Sequence, residues 1–208
     1  MKGLLLKDYY MIKKYCRIYI FLLIIFIAIS IFADANPFFI YYPPLIAGLI
    51  PVTLISYDEK EKWDVYCNTL PYNKKQIVSA KYLIGFIFVL SVTILSAISQ
   101  SIKMINLGTF IIQDIILLSA TILAVGLIGP SLLLPFIFKL GVEKGRIAYY
   151  IIIGFLFTFI TILYGNRLEL GNNLESNTYL IIVIITSIIL YFISWHISIK
   201  FYKDREIA

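Results

Sequence analysis

The sequence predicts an all-α, polytopic membrane protein. Of its 208 residues, 61% are hydrophobic and only 14% are charged, whereas soluble domains average about half apolar and about a quarter charged. The apolar residues form long blocks, such as the run from Phe21 to Phe32, without regular alternation of apolar and polar positions. A transmembrane β-strand requires that alternation. We therefore predict that the blocks are helices.

Six blocks are long enough to cross a bilayer, whose hydrocarbon core of about 30 Å needs about 20 helical residues. The predicted spans are residues 17–33, 38–56, 82–101, 111–137, 147–164 and 179–199. The connections between them are short and no internal repeat is evident. We therefore expect residues 1–208 to form a single transmembrane domain, with the spans covering 17–199.

Residues 1–16 precede the first span and are predicted to form an amphipathic helix. At about 100° per residue, most of the basic side chains fall on one arc and Leu4 and Ile12 fall on the opposite arc, where Asp8 intrudes. This pattern is typical of a helix that lies on the membrane surface. The alternative is a simple basic flank that orients the first span.

The basic residues predict the orientation of the chain. Sixteen of the 18 lysines and arginines lie in the segments on one side, and only Lys103 and Arg167 lie on the other. The positive-inside rule then places both termini and the loop 57–82 in the cytoplasm. This asymmetry also explains the net charge of +6, so no nucleic-acid partner is needed.

The loop 57–82 concentrates charge and helix-capping residues. Asp58 with Glu61, and Asn73 with Gln76, have the spacing of capping boxes. They predict a short helix from Glu59 to about Asn68, ended by Pro71, and a second helix start that continues into the third span. On the short helix, Trp63, Tyr66 and Leu70 form an aromatic-rich stripe. Such a stripe fits either a protein interface or an anchor at the lipid headgroups, and the residues alone leave both open.

The sequence gives little support for catalysis or for ion-driven transport. His196 is the only histidine, and no set of residues has the spacing of a metal site or of a nucleophile–base pair. The phosphate-binding loop motif of ATPases does not occur. The centres of the spans carry no charge, whereas an ion-coupled carrier would place acids on its ion path. We therefore predict no catalytic residue, no metal and no cofactor in this chain.

The loop resembles the cytoplasmic loop of bacterial ABC type-2 permeases, the small six-span family. The shared features are a DE-x-x-x-W start (Asp58, Glu59, Trp63), a TLP corner (Thr69, Leu70, Pro71) and an IV-x-x-KY entry (Ile77, Val78, Lys81, Tyr82). The basic amphipathic N-terminus and the short loops extend the resemblance over essentially the whole chain. Within that family, the chain looks most similar to permeases of exporters of phenol-soluble-modulin-type peptides.

The resemblance implies a multi-pass permease in the bacterial plasma membrane that dimerises with a second permease and binds two copies of an ABC ATPase, which would hold ATP and Mg. The short loop helix would then be the coupling helix. The implied partner-binding residues are Asp58, Glu59, Lys60, Glu61, Lys62, Trp63, Asp64 and Tyr66, with Thr69, Leu70 and Pro71 at the corner. Candidates for the pathway or its gating are Pro43, Pro44, Pro51, Glu169 and Glu175.

The uncharged spans suit an amphipathic or antimicrobial-type peptide as the exported cargo, and we expect contact with membrane lipid along them. The alternative is a non-transporting membrane protein, such as an immunity or assembly factor, that binds a cytoplasmic partner through the same loop. A neighbouring ATPase that co-purifies with the chain would distinguish these two possibilities.

Overall fold

The computed structural model of the protein describes residues 2–32, 38–67, 69–148, 150–151 and 176–204. In this part of the chain the regular structure is entirely helical. The helices are α1 (Lys2–Tyr15), α2 (Arg17–Phe32), α3 (Phe38–Lys60), α4 (Trp63–Cys67), α5 (Lys74–Asn106), α6 (Ile112–Leu140) and α7 (Ser176–Asp204). Residues 142–148 are also helical. The all-helical prediction is confirmed for these residues.

Four helices are long and apolar enough to cross a membrane, namely α3, α5, α6 and the Ile182–Asp204 part of α7. α2 reaches that standard only together with α1, from which it bends by 71°. The described residues therefore provide four spans, or five if the bent pair counts as one. Most of the predicted span 147–164 lies outside the described residues, and the total of six spans stays a prediction.

The bend separates α1 from α2, while one face of α1 packs on the bundle. α1 buries Leu4, Asp8 and Ile12, which are spaced four residues apart on one face, and it contacts α2, α3 and α5. Cys16 occupies the break and is completely buried. The predicted helix over 1–16 is therefore a separate element. Its buried face is the apolar arc, including the acidic residue that intrudes on it.

Glycines allow the central helices to approach closely. α3 contacts α5 and α6, and the prolines inside α3 pack on glycines of these neighbours. A Cβ atom built on Gly85 of α5 would lie 2.7 Å from Cγ of Pro51, and one on Gly126 of α6 would lie 3.0 Å from Cβ of Pro44. The largest fully buried side chains, among them Ile50, Leu54, Ile122, Leu127 and Leu134, fill the space between these helices.

The helix ends gather into two groups. At one end of the bundle, which we call the basic end, Lys7 contacts Asp58, the Lys74 ammonium donates to the carbonyl of Lys203 at 3.1 Å, and Lys139 lies over the Phe201 ring. At the opposite end, the hydroxyl groups of Ser30 and Ser99 are 2.9 Å apart. The basic end thus collects the cationic segments that the sequence assigned to one side.

α5 is longer than its apolar block. Its 33 residues span about 50 Å at 1.5 Å per residue, which exceeds the bilayer core of about 30 Å. The additional turns lie at both ends: Lys74–Lys81 at the basic end and the residues up to Asn106 at the other. Gly108, with φ of 69°, ends the helix, and the Thr109 amide donates to the Met104 carbonyl at 3.0 Å.

We expect Gly85→Ala to lower stability, because the new methyl group would meet the Pro51 ring, and overpacking a core costs about 1–3 kcal/mol. The thermal unfolding midpoint of the purified protein in detergent measures this loss.

Gly129→Ala is the matched control, since a Cβ atom added at Gly129 would meet nothing within 4 Å and alanine favours a helix interior. Equal stability of the two variants would contradict the close α3–α5 contact.

Candidate functional site at the corner between α3 and α5

The corner segment, residues 61–73, connects α3 to α5 at the basic end. α3 continues through Asp58 to Lys60, so Asp58 lies in the last turn of a long helix and does not begin a short one. The predicted Asp58–Glu61 capping box and the predicted helix start at Glu59 are therefore wrong. Capping spacing alone cannot exclude that the preceding helix continues.

Lys62 makes the turn between α3 and α4. Its φ of 51° places it in the left-handed region, which costs a non-glycine residue roughly 1–2 kcal/mol. The Lys62 amide donates to the Glu59 carbonyl at 3.2 Å, and the Lys62 carbonyl accepts from the Val65 amide at 3.2 Å. One residue thus ends α3 and starts α4, which is the short helix of the loop.

Four charged side chains from three helices meet beside this turn and form what we call the charge cluster: Lys7, Asp8, Asp58 and Lys81. The Lys81 ammonium lies 2.7 Å from Oδ1 of Asp8 and 2.7 Å from Oδ2 of Asp58. Lys7 lies 2.6 Å from Oδ1 of Asp58 and 3.3 Å from Oδ1 of Asp8. Each cation therefore contacts both anions, which closes a ring of alternating charge.

The charge cluster is buried. Asp8, Lys81 and Asp58 are 1%, 3% and 5% exposed, while the Lys7 side chain is 22% exposed. Removing one partner from a buried ion pair leaves an uncompensated charge and typically costs about 3–5 kcal/mol. Because its members come from α1, α3 and α5, the cluster fixes these helices to one another directly beside the corner segment.

The corner segment attaches to this cluster through Trp63. The Lys7 ammonium lies 4.2 Å from the centroid of the Trp63 ring, and the half-buried ring packs against the hydrophobic core. Tyr66, whose ring centroid is 5.4 Å from that of Trp63, is 58% exposed. The predicted aromatic stripe is thus divided: Trp63 faces the bundle, Tyr66 faces outward, and Leu70 is half-buried.

The outward surface of the corner segment, which we call the docking face, consists of side chains that are exposed in the isolated chain. Its members are Glu61, Lys62, Val65, Tyr66, Thr69 and Pro71. The Thr69 hydroxyl donates to the Tyr66 carbonyl at 2.7 Å. This bond and the backbone bond from Leu70 to Cys67 at 3.2 Å give the docking face a defined shape.

The second helix start is confirmed. Asn73 is the N-cap of α5, and its amide donates to the Gln76 side chain at 3.3 Å.

Lys60 is exposed, with its ammonium 5.6 Å from the Tyr57 ring centroid. Asp64 lies within α4, but its side chain is outside the described residues, as is Asn68.

Glu59 faces away from the docking face. Its Oε2 accepts from the Val142 amide at 2.9 Å, at the start of the helical stretch 142–148, where a carboxylate is favoured. A crease of about 350 Å³ lies between these elements, lined by residues that include Ser56, Lys60 and Lys144. Glu59 therefore joins the end of α3 to the turn after α6.

The pathway candidates divide between packing positions and undescribed positions. Pro43, Pro44 and Pro51 are buried inside α3, and two of them pack on the glycines described above. Glu169 and Glu175 lie outside the described residues. Both cysteines, Cys16 and Cys67, are buried, and burial raises the pKa of the Cys16 thiol to about 11.

Reasoning from the sequence missed the roles of Lys7 and Asp8 and the pairing of Lys81 with Asp58. A signal was present for Asp8, because an acid on the apolar arc of an amphipathic helix needs a basic partner if that arc is buried. Asp58 and Lys81 flank neighbouring spans on the same side, which makes them candidates for pairing. The geometry that joins all four residues depends on the bend at Cys16.

Comparison with known proteins gives one family match. A family model described as "ABC-2 family transporter protein" matches residues 3–203. No curated protein and no solved structure matches the chain.

We expect Lys81→Met to destabilise the protein by about 3–5 kcal/mol, because it leaves two buried carboxylates with only one cation. Lys7→Met should cost less, since water reaches the partly exposed Lys7 and can solvate the remaining charge. Thermal unfolding followed by tryptophan fluorescence measures both.

Lys200→Met, which removes an exposed lysine near the basic end, is the control and should leave the midpoint unchanged. If Lys81→Met were as mild as that control, the charge cluster would not hold the helices together.

Proposed function

Because the chain belongs to the ABC-2 family of transporter proteins, which are membrane components of ABC transporters, we propose that it is the permease of an ABC exporter. The family match covers residues 3–203. The chain is thus a multi-pass membrane subunit and not itself an enzyme, and an ABC ATPase is its general partner.

We propose that the docking face of the corner segment receives the ATPase. The two sides of the segment differ in what they contact. Its inner side is fixed to the charge cluster through Trp63, whereas its outer side presents Tyr66 and Val65 beside Glu61 and Lys62. An exposed aromatic residue among charged side chains has the composition of a binding hot spot. A rigidly supported surface can also transmit a push from the ATPase to α1, α3 and α5.

In the proposed orientation the basic end faces the cytoplasm of a bacterial cell, in agreement with the positive-inside rule. The proposed assembly has two permeases and two ATPase subunits. A symmetric dimer is the commonest arrangement of identical subunits. It would enclose a path between the two bundles, because the centre of one bundle is filled, within the described residues, by side chains such as Leu54 and Leu134.

The proposed cargo is an amphipathic peptide. The central stretches of α3, α5 and α6 carry no Asp, Glu, Lys, Arg or His, so they offer apolar and hydroxyl groups to a cargo instead of charged ones. An apolar peptide face can be accepted there without ion pairing. This composition disfavours a strongly charged cargo, and it disfavours transport that is coupled to an ion.

Tyr66→Ala should weaken binding of the ATPase, because truncating an aromatic hot-spot residue costs about 2 kcal/mol or more. That cost corresponds to more than about tenfold in the dissociation constant. Titration of the purified ATPase against the permease in nanodiscs measures the change.

Tyr42→Ala, at the opposite end of the bundle, removes another exposed tyrosine and should bind normally. Trp63→Ala should mainly lower the unfolding midpoint, because this ring packs on the core. Equal ATPase affinity of the Tyr66 and Tyr42 variants would show that the docking face does not bind the ATPase.

Proteoliposomes that contain the permease and its ATPase should hydrolyse ATP faster when an amphipathic peptide of low net charge is present, and should move that peptide across the membrane. A scrambled peptide of the same composition but without an amphipathic pattern is the control. Stimulation by both peptides, or by neither, would contradict the proposed cargo. Failure of any ATPase to bind the chain would favour an immunity or assembly factor instead.

A further inference from the structure

A cationic and apolar groove lies at the outer side of the bend between α1 and α2. Its lining consists of Lys13, Arg17, Ile20, Phe21 and Ile24, and this open groove has a volume of about 360 Å³. Phe21 and Ile24 are 65% and 61% exposed. The corner segment and the charge cluster do not contribute to this groove, so the proposed ATPase docking leaves it unused.

The bend creates the groove. α1 and α2 meet at 71°, and Cys16 in the break is buried on the inner side. Arg17 reaches back across the break, where its Nε donates to the Lys13 carbonyl at 2.8 Å. This bond holds the guanidinium beside the Lys13 backbone. Within the described residues, no carboxylate forms an ion pair with either cation.

Along α2 the lining of the groove changes from charged to apolar. Arg17, Phe21 and Ile24 share one face of α2 at spacings of four and seven residues. Ile24 lies about 10 Å deeper than Arg17 at 1.5 Å per residue. This arrangement matches an anionic phospholipid. The two cations at the headgroup level complement the phosphate, and the apolar side chains below them complement the acyl chain.

We propose that this groove binds one anionic phospholipid of the leaflet at the basic end. Its phosphate lies between Lys13 and Arg17, since guanidinium groups bind phosphate oxygens by paired, charge-assisted hydrogen bonds. Its acyl chain follows Ile20, Phe21 and Ile24. A second permease copy fits this groove less well, because a symmetric contact along α2 would bring two cationic pairs together.

The test is native mass spectrometry of the purified chain in neutral detergent, with phosphatidylglycerol or phosphatidylcholine added. The wild-type chain should retain phosphatidylglycerol preferentially. The double variant Lys13→Gln, Arg17→Gln should bind it about thirtyfold more weakly, which corresponds to about 2 kcal/mol, since each of the two basic residues contributes about half of that free energy. Phe21→Asn should also weaken binding, without any change in charge.

Lys75→Gln with Lys200→Gln is the control, because it removes the same charge from exposed positions on α5 and α7. An equal loss in this control would show diffuse electrostatic attraction and overturn the site. Displacement of phosphatidylglycerol by the same concentration of soluble glycerol phosphate would show that the groove is a simple anion site, and it would contradict the proposal that the groove binds a phospholipid. If phosphatidylglycerol bound only to single copies of the chain and not to a dimer, the groove would be the contact surface for a second copy, and the proposed lipid site would be wrong.

Should the double variant fail to fold, the single variants Lys13→Gln and Phe21→Asn carry the same test. Retention of phosphatidylglycerol at the wild-type level by both would overturn the proposal. None of these measurements requires an ATPase or a cargo, so their outcome is independent of the proposed export function.

Discussion

The arrangement of the basic end depends on the buried ring of Lys7, Asp8, Asp58 and Lys81. Two cations and two anions balance one another, so burial leaves no net charge to solvate. Hydrophobic packing alone holds helices together but specifies their rotation weakly. Ion pairs of 2.6–2.7 Å accept only one rotation of α1, α3 and α5, because a turn of any one helix removes its charged group from the ring. The ion pairs therefore add to the close glycine–proline packing in setting the registry of these helices.

The ring also determines which surface of the corner segment is available. Lys7 attracts the Trp63 ring, and Trp63 then packs inward and turns Tyr66 outward. A motion imposed on the docking face would reach α3 through the turn at Lys62, and α1 and α5 through the charge cluster. Glu59 extends this connection to the segment after α6 by binding the Val142 amide. The bend at Cys16 serves both proposed surfaces, since it buries Asp8 on one side and opens the cationic groove on the other.

The sequence predicted the features that depend on local pattern. The apolar blocks located the helices, Asn73 and Gln76 located the start of α5, and the amphipathic arcs located α1. The Asp58 role was missed because it depends on Lys7, which is 51 residues away, and on a lysine of another helix. The C-terminal end of α5, at Asn106, was placed too early because hydropathy reports the lipid-soluble part of a helix and not its ends. The inward position of Trp63 depends on the Lys7 ammonium that lies over its ring. The aromatic stripe of one helix does not reveal this contact, because Lys7 belongs to another helix.

The charge cluster holds the corner segment in one position relative to α1. Spin labels on cysteines introduced at Tyr66 and Tyr10, both exposed, measure the distance between these elements by electron paramagnetic resonance. The buried native cysteines can be replaced by serine if they take up label. We predict one narrow distance distribution in the otherwise unaltered chain, and a broad one when Asp8→Asn removes an anion from the ring. A distribution that is equally narrow in both proteins would contradict this account.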